Sequence, residues 1–166
     1  MDSTARESPN EAPRADVANL GLARPPWLYL AAILIGIVLD LVWSIAVVPR
    51  PLAVPLGSVL IIAAALLFAS CVTLFGAADT PLPGNLPSTA IVRTGAYRIS
   101  RNPIYLSFCL LHLGVAMLVN SLWLVMTLIG VLGVMSLVVI PREERYLERK
   151  FGGDYLTYKH SVRRWL

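Results

Sequence analysis

Charged residues are scarce in this sequence: they make up 14% of its 166 residues, against about a quarter in soluble globular domains. With 57% hydrophobic residues and a mean hydropathy of +0.69, the composition excludes an ordinary soluble domain. Cysteine is also rare, and Cys71 and Cys109 lie in apolar segments without metal-ligand spacing, which argues against a disulfide, a metal site or a nucleophile. The sequence contains no G-x-G-x-x-G, no phosphate-binding loop and no H-E-x-x-H motif.

The net charge of +4 would suit nucleic acid, but the basic residues stand at the ends of apolar runs and not on one polar face. This placement is typical of membrane topology. Lys and Arg divide as three before the first run, then one, three, none and seven in the successive polar segments. Because cytoplasmic segments carry the excess, we expect both termini and the loop 77–102 on the cytosolic side of an inner or plasma membrane.

Four apolar runs predict four transmembrane helices, since roughly 20 apolar residues cross about 30 Å of hydrocarbon. They cover about 27–48, 54–75, 103–119 and 122–140. Residues 1–25, rich in Pro, Ala, Ser and acidic side chains, predict a disordered cytosolic tail, and 26–166 a single membrane-embedded domain. After Pro141, amphipathic helices over about 142–151 and 154–165, the second capped by Asp154, are expected at the membrane interface. The predicted fold is an all-α integral membrane protein with four transmembrane helices and two C-terminal amphipathic interfacial helices.

Polar residues inside the apolar runs are candidates for function. Asp40 interrupts the first run, and because a carboxylate within a span is costly it should face the helix bundle or lie near the headgroups. On the third run Tyr105 and His112 share a helix face and can line a cavity. Two alternatives for His112 are an interhelical hydrogen bond and a pair with Asp40.

A polar loop precedes the third run. The density of Pro and Gly over 77–100 rules out a regular element and predicts an ordered loop or a lid. Asn102 suits the N-cap and Pro103 the first helical position, so a helix should begin here with its free N–H groups facing the loop. Arg98 and Arg101 beside that end predict an anion-binding corner. The alternative is that these arginines hold the protein at the phosphate surface of the membrane.

This stretch contains the motif Gly95-x-Tyr97-Arg98-x-x-Arg101-Asn102-Pro103-x-Tyr105. A second motif follows later in the chain, Glu143-Glu144-x-x-Leu147-x-x-x-Phe151-Gly152-x-x-Tyr155-x-x-Tyr158. Together they resemble the signature of the membrane-embedded isoprenylcysteine carboxyl methyltransferase and phospholipid N-methyltransferase group. The resemblance covers roughly residues 76–166. Without it, Glu143 and Glu144 would be read as carboxylates that stabilise the N-terminus of a helix.

The resemblance implies methyl transfer from S-adenosylmethionine to a membrane-soluble acceptor: a prenylcysteine-like carboxylate, a lipid or another small apolar molecule. It implies catalytic roles for Arg101, which would orient the acceptor's carboxylate or headgroup, and for Tyr105 and Glu144. The cofactor-binding candidates are Tyr97, Arg98, Asn102, Pro103, Ile104, Glu143 and Tyr155.

Two positions depart from the family pattern. The prenylcysteine enzymes usually carry His where Asn102 stands and Gly where Ser107 stands. Since Asn cannot act as a base, the departure favours a carboxylate or thiolate acceptor, or a role for Asn102 as a cap only.

Two other functions remain open from the sequence. An NADPH-dependent membrane reductase would share the helical layout but needs more basic loop surface. A non-catalytic four-span scaffold or transport subunit would tolerate neutral residues in place of Arg101 and Glu144.

Overall fold

The fold was obtained as a computed structural model that describes residues 24–82 and 88–166. The predicted tail, 1–25, lies outside the described residues except for its last two. The helices are α1 (Pro25–Val42), α2 (Arg50–Ala77), α3 (Pro103–Val119), α4 (Leu122–Val134), α5 (Ile140–Phe151) and α6 (Gly153–Ser161), with a 3₁₀ turn at Gly95–Arg98. Within the described ranges there is no strand, only one isolated bridge between Ser100 and Arg163. The predicted all-α class is confirmed.

Three helical segments in the described part of the chain are long and apolar enough to cross a membrane: Pro25–Val42, Arg50–Ala77 and Leu122–Phe151. The third apolar run forms a helix of 17 residues, about 25 Å long at 1.5 Å per residue. The membrane character is therefore supported, and the count of four spans stays a prediction.

The first helix ends at Val42, six residues before the predicted end of the first span. The reason is the side chain of Asn120, in the turn between α3 and α4. Its Oδ1 accepts the backbone N–H groups of Val47 and Val48 at 2.9 and 3.0 Å, and its Nδ2 donates to Val48 O at 2.9 Å. Leu122 N–H also donates to Ile45 O at 2.9 Å. These bonds give backbone groups of Ile45, Val47 and Val48 partners outside a helix, and they fasten the link 43–49 to the α3–α4 turn.

Helices α2 and α3 approach closely at a pair of glycines. A Cβ on Gly57 would lie 2.8 Å from the carbonyl oxygen of Gly114, and a Cβ on Gly114 would lie 3.1 Å from that of Gly57. Small residues at a crossing allow two backbones to come together, as in many membrane helix pairs. The second pairing in the bundle is α1 along α4, with Gly36 against Leu124.

The helix does not break at Pro141, contrary to the prediction of a separate helix from residue 142. Helix α4 continues through a π turn, Met135–Val139, directly into α5. In this turn the N–H of Ile140 donates to Met135 O, five residues back. Pro141 has no N–H to donate, and the wider turn carries the helix past it. The result is one helical rod, Leu122–Phe151.

Helix α6 begins one residue earlier than predicted and ends at Ser161, four residues before the predicted end. Its N-cap position is Gly152 (φ +53°), while Asp154 lies in the first turn and caps nothing. Residues 162–166, here called the C-terminal strap, leave the helix because their backbone pairs with the loop before α3. An interfacial location for α5 and α6 stays a prediction.

His112 is fully buried, and its Nε2 lies 3.1 Å from the carbonyl oxygen of Leu124 in α4. The interhelical hydrogen bond is thus the correct alternative. A pair with Asp40 is wrong: Asp40 Oδ1 is buried without a hydrogen-bond partner. The ring of Tyr29 is the α1 neighbour of His112, at 6.3 Å between centroids, and Asp40 lies eleven residues, or about 16 Å, further along that helix.

Candidate active site

A cavity lies at the end of the bundle where the loop before α3 meets α5 and α6. It encloses about 600 Å³ of empty space, counting the part that opens to solvent. Its lining consists of Phe75, Ser88, Ala90, Ile91, Val92, Tyr97, Arg101, Asn102, Ile104, Tyr105, Glu143, Glu144, Leu147, Tyr155 and Tyr158.

The loop that reaches the cavity is ordered by its own side chains in the residues described. Thr80 Oγ1 accepts the backbone N–H of Thr89 at 2.9 Å, and Thr89 Oγ1 donates to Asp79 O at 3.0 Å. The described part of 77–100 is therefore an ordered loop as predicted, except that Gly95–Arg98 forms a 3₁₀ turn where no regular element was expected.

Arg101 lines the cavity with a positively charged side chain. Its Nη2 lies 3.2 Å from Glu144 Oε1, and its side chain is only 10% exposed. The other two guanidinium nitrogens, Nε and Nη1, are buried and have no hydrogen-bond partner. Buried polar groups are nearly always paired, so unpartnered donors on a cavity wall indicate a ligand site. Each of these nitrogens can donate a charge-assisted hydrogen bond to a carboxylate or a phosphate oxygen.

Glu144 is 6% exposed and is neutralised by cations from the C-terminal part of the chain. Arg164 holds both of its oxygens, with Nε 3.2 Å from Oε1 and Nη2 2.7 Å from Oε2. The hydrogen bond to Glu144 raises the pKa of Arg164. Lys159 Nζ is more distant, at 3.8 Å from Oε2. Glu144 therefore sits in a cluster of three basic residues that includes Arg101.

Glu143 has a different partner. The hydroxyl of Tyr105, at the start of α3, donates to Glu143 Oε2 at 2.6 Å. Because the rod from Leu122 to Phe151 is continuous, neither glutamate lies at a free helix N-terminus, and the interpretation of the pair as helix-end carboxylates is wrong.

Tyrosine side chains form another part of the cavity wall. Tyr97, Tyr155 and Tyr158 are all buried. Tyr158 donates its hydroxyl to the carbonyl oxygen of Tyr97 at 2.7 Å, and the Tyr97 ring lies edge-on to Phe75 with centroids 5.5 Å apart. Burial raises the pKa of Tyr158 to about 12, so at neutral pH this phenol remains a donor. Burial likewise raises the pKa of Tyr97 and of Tyr155.

Asn102 occupies the N-cap position of α3, but its side chain does not cap the helix. Its Nδ2 donates instead to the carbonyl oxygen of Arg164 at 2.9 Å, because the C-terminal strap passes alongside. Pro103 stands at the first turn, as predicted, and α3 begins there. Ile104 lines the cavity, whereas Pro103 is buried without reaching it.

Arg98 is not brought into the cavity. The 3₁₀ turn Gly95–Arg98 buries Tyr97 and leaves the next side chain, Arg98, exposed. Arg98 lines a separate surface groove with Arg93 and Tyr158. The corner predicted to hold two arginines therefore holds Arg101 from the loop and Arg164 from the strap.

Sequence reasoning missed Arg164 and Lys159. Their signal was the run of basic residues that follows the second motif, Lys159 through Arg164, which was interpreted only as membrane topology. Residues of the cavity wall such as Phe75 and Val92 carried no signal, since apolar side chains of this kind occur throughout the sequence.

Apolar helices long enough to cross a membrane, together with a cavity lined by ionic side chains at one end of the bundle, are the features of a membrane protein. Comparison with known proteins is more specific. The sequence profile of the phospholipid methyltransferase family matches residues 52–154, and the chain belongs to that family. The resemblance to membrane methyltransferases is thereby confirmed.

One curated relative is an "Uncharacterized protein" of Haemophilus influenzae, 47% identical over 64 residues, which are 38% of this chain and the whole of that protein. No solved structure matches the chain.

Proposed function

We propose that this membrane methyltransferase uses S-adenosylmethionine and methylates a membrane-soluble acceptor at the cytosolic membrane interface. The acceptor class is a prenylcysteine-like carboxylate, a lipid or another small apolar molecule. The observation that carries the proposal is Arg101, buried on the cavity wall with two guanidinium nitrogens unpartnered. The excess of basic residues in the loop before α3 and in the C-terminal segment supports the cytosolic side.

The residues of the cavity fit the cofactor. S-adenosylmethionine carries a carboxylate, an ammonium group, a ribose diol and an adenine ring beside its sulfonium. The free nitrogens of Arg101 suit the carboxylate, and Glu143 suits the ammonium group or the ribose hydroxyls. The faces of Tyr97 and Tyr155 suit the adenine or the sulfonium. When bound, S-adenosylmethionine supplies a methyl group for in-line displacement by the acceptor.

The protein's contribution is orientation and exclusion of water. Positioning of two reactants can supply roughly 7–11 kcal/mol in favourable cases. Here Arg101 is fixed by Glu144, and Glu143 is fixed by the hydroxyl of Tyr105. Tyr105 and Glu144 thus act by holding the groups that contact the ligand. The buried aromatic wall keeps water from the reacting atoms.

The cavity favours an acceptor that needs no proton removal. Both oxygens of Glu144 are held by cations, and Glu143 Oε2 already accepts the Tyr105 hydroxyl. The amide of Asn102 is not basic, and it donates to the strap. A carboxylate reacts without a general base, whereas an ammonium group must first be deprotonated. This favours the carboxylate among the acceptor classes named above.

Ligand binding tests the proposal. S-adenosylhomocysteine at about 100 times its Kd should stabilise the protein in detergent by about 2.7 kcal/mol, because a ligand of the native state shifts unfolding by mass action. In a thermal scan this is a rise in Tm of about 5 °C or more. NADP should give no rise. A rise with NADP instead, or with neither nucleotide, contradicts the proposal.

The matched variants are Arg101→Ala and Arg145→Ala. Arg145 is an exposed arginine next to Glu144 in sequence, outside the cavity. We expect Arg101→Ala to lose both the thermal shift and methyl transfer, and Arg145→Ala to keep both. Equal effects of the two substitutions would argue against a site at Arg101.

A further inference from the structure

The C-terminal strap is tied by hydrogen bonds to the loop before α3. The backbone N–H of Arg101 donates to Arg163 O at 2.9 Å. The next carbonyl, that of Arg164, accepts from Asn102 Nδ2 at 2.9 Å and from Ser100 Oγ at 3.3 Å. Ser100, Arg101 and Asn102 thus bind the backbone of two consecutive strap residues, Arg163 and Arg164.

The strap is anchored beyond Arg164 as well. The indole Nε1 of Trp165 donates to Ser136 Oγ, in the π turn, at 3.2 Å. Arg164 lies between these two attachments, so its backbone is held on both sides. Its guanidinium therefore meets Glu144 as a group whose stem is already positioned, which lowers the entropy lost on forming the contact.

Two arginines share one buried carboxylate at this point. Arg164 binds Glu144 through two nitrogens, one on each oxygen, in the fork geometry that suits a carboxylate best. Arg101 reaches the same carboxylate through one nitrogen only. Lys159 does not compete strongly, because its Nζ lies 2.5 Å from Glu148 Oε1 and 3.8 Å from Glu144.

We propose that Arg164 is a positioning residue for the ligand site: by occupying both oxygens of Glu144 it leaves Nε and Nη1 of Arg101 available to the cofactor's carboxylate. The inference rests on the proposed function, since it assumes that the cavity takes S-adenosylmethionine. Arg164 does not line the cavity, so it acts through Glu144 and not by touching the ligand.

Loss of the Arg164 guanidinium changes what Arg101 does. A carboxylate as buried as Glu144 demands neutralisation, and the nearest remaining guanidinium is that of Arg101. Arg101 then forms the two-nitrogen contact itself, which consumes one of its two free nitrogens and turns the guanidinium towards Glu144. The ligand site loses part of its anion-binding group although no residue lining it has been changed.

The experiment measures the Kd of S-adenosylhomocysteine and the Tm of the ligand-free protein for the full chain in detergent. Arg164→Ala should raise Kd at least about tenfold, the effect of losing a hydrogen bond to a charged group. Arg164→Lys should fail to restore affinity, because an ammonium lacks the planar fork that places one nitrogen on each carboxylate oxygen. Arg163→Ala is the matched control: it removes the same charge one residue away, its side chain is exposed, and its carbonyl remains to accept from Arg101. It should bind like the wild type.

A double variant separates positioning from direct contact. In Arg164→Ala with Glu144→Gln, the amide oxygen can still accept from Arg101 Nη2, but no negative charge remains to draw in a second nitrogen. Affinity should therefore recover in part relative to Arg164→Ala alone, as a non-additive pair in a double-mutant cycle. If Arg164→Ala does not yield folded protein, as judged by Tm, Arg164→Lys decides, because it keeps the charge. Wild-type affinity in Arg164→Lys, or no recovery in the double variant, overturns the inference. Absence of S-adenosylhomocysteine binding by the wild type overturns the proposed function instead.

Discussion

At the scale of single residues, Glu143 and Glu144 show how neighbours in sequence acquire different roles. Successive residues of a helix point about 100° apart, so the two carboxylates meet different parts of the molecule. Glu144 faces the strap and is neutralised by Arg101, Arg164 and Lys159. Glu143 faces the start of α3 and has the Tyr105 hydroxyl as its partner. In our proposal Glu144 orients Arg101, and Glu143 contacts the ligand.

The Tyr105 hydroxyl can be tested by Tyr105→Phe, which removes the 2.6 Å hydrogen bond to Glu143 and nothing else of comparable size. We expect the affinity for S-adenosylhomocysteine to fall about tenfold, since Glu143 is no longer held in place. Titration calorimetry measures this directly. The control is Tyr146→Phe: Tyr146 is also buried but lies in α5, its hydroxyl accepts from Lys150, and it does not line the cavity. An equal loss in both variants would contradict a specific role for Tyr105.

The sequence predicts those parts of the site that are determined by residues adjacent to one another in the chain. Pro103 begins α3 because its ring geometry is a local property. Arg98 was assigned to the cavity because it is close to Arg101 in sequence, but the 3₁₀ turn, which repeats every three residues, leaves it exposed. Arg164 was missed because its contact with Glu144 spans 20 residues and depends on where the strap lies.

At the scale of helices, the bundle is organised as two close pairs, α2 with α3 and α1 with α4. The first pair depends on the absence of side chains where the backbones cross. Gly57 and Gly114 each face the other's carbonyl oxygen. In a membrane, where burial of apolar surface gives little drive for helix association, such close packing supplies much of the contact energy.

This crossing makes a quantitative prediction for Gly57→Ala. The new Cβ would lie 2.8 Å from a backbone oxygen of α3, which cannot move independently of its helix. We expect a loss of about 1–3 kcal/mol in stability, the usual cost of overpacking. Thermal scans in detergent measure it. Gly130→Ala in α4 is the control: nothing lies within 4 Å of the added methyl, so this substitution should leave Tm unchanged or raise it.

Helix existence was predictable from apolar runs, whereas helix ends were not. The predicted span over 27–48 extends beyond α1 because residues 43–49 are just as apolar as the helix before them. What ends α1 is the set of hydrogen bonds to Asn120, a residue more than 70 positions away. At Pro141 the local rule predicts a break, because proline has no N–H to donate. The π turn before it accommodates the missing donor without ending the helix.

At the scale of the whole molecule, the two ends of the bundle are built differently. At one end the 43–49 link is fastened to the α3–α4 turn through Asn120. At the other end the loop before α3, the rod and the strap surround the cavity. Helices that alternate in direction between these ends place Arg50 and His160 on opposite sides of the bundle.

This arrangement predicts the outcome of labelling from each face of a membrane. Single-cysteine substitutions Arg50→Cys and His160→Cys introduce thiols at exposed positions, while Cys71 and Cys109 are buried. A membrane-impermeant maleimide should label His160→Cys from the cytosolic face and Arg50→Cys from the opposite face, because segments rich in Lys and Arg are expected on the cytosolic side. Labelling of both from one face would contradict the predicted topology and the cytosolic placement of the cavity.

The π turn has a consequence for the angular phase of the rod. One additional residue in a helical turn offsets everything that follows by about 100° around the axis relative to an uninterrupted α-helix. The segment that bears both motif glutamates lies just after this offset. With uniform α periodicity from Leu122 onward, those carboxylates would point to a different quadrant, away from the loop that now meets them. The π turn, five residues long, therefore determines the direction in which Glu143 and Glu144 point around the helix axis.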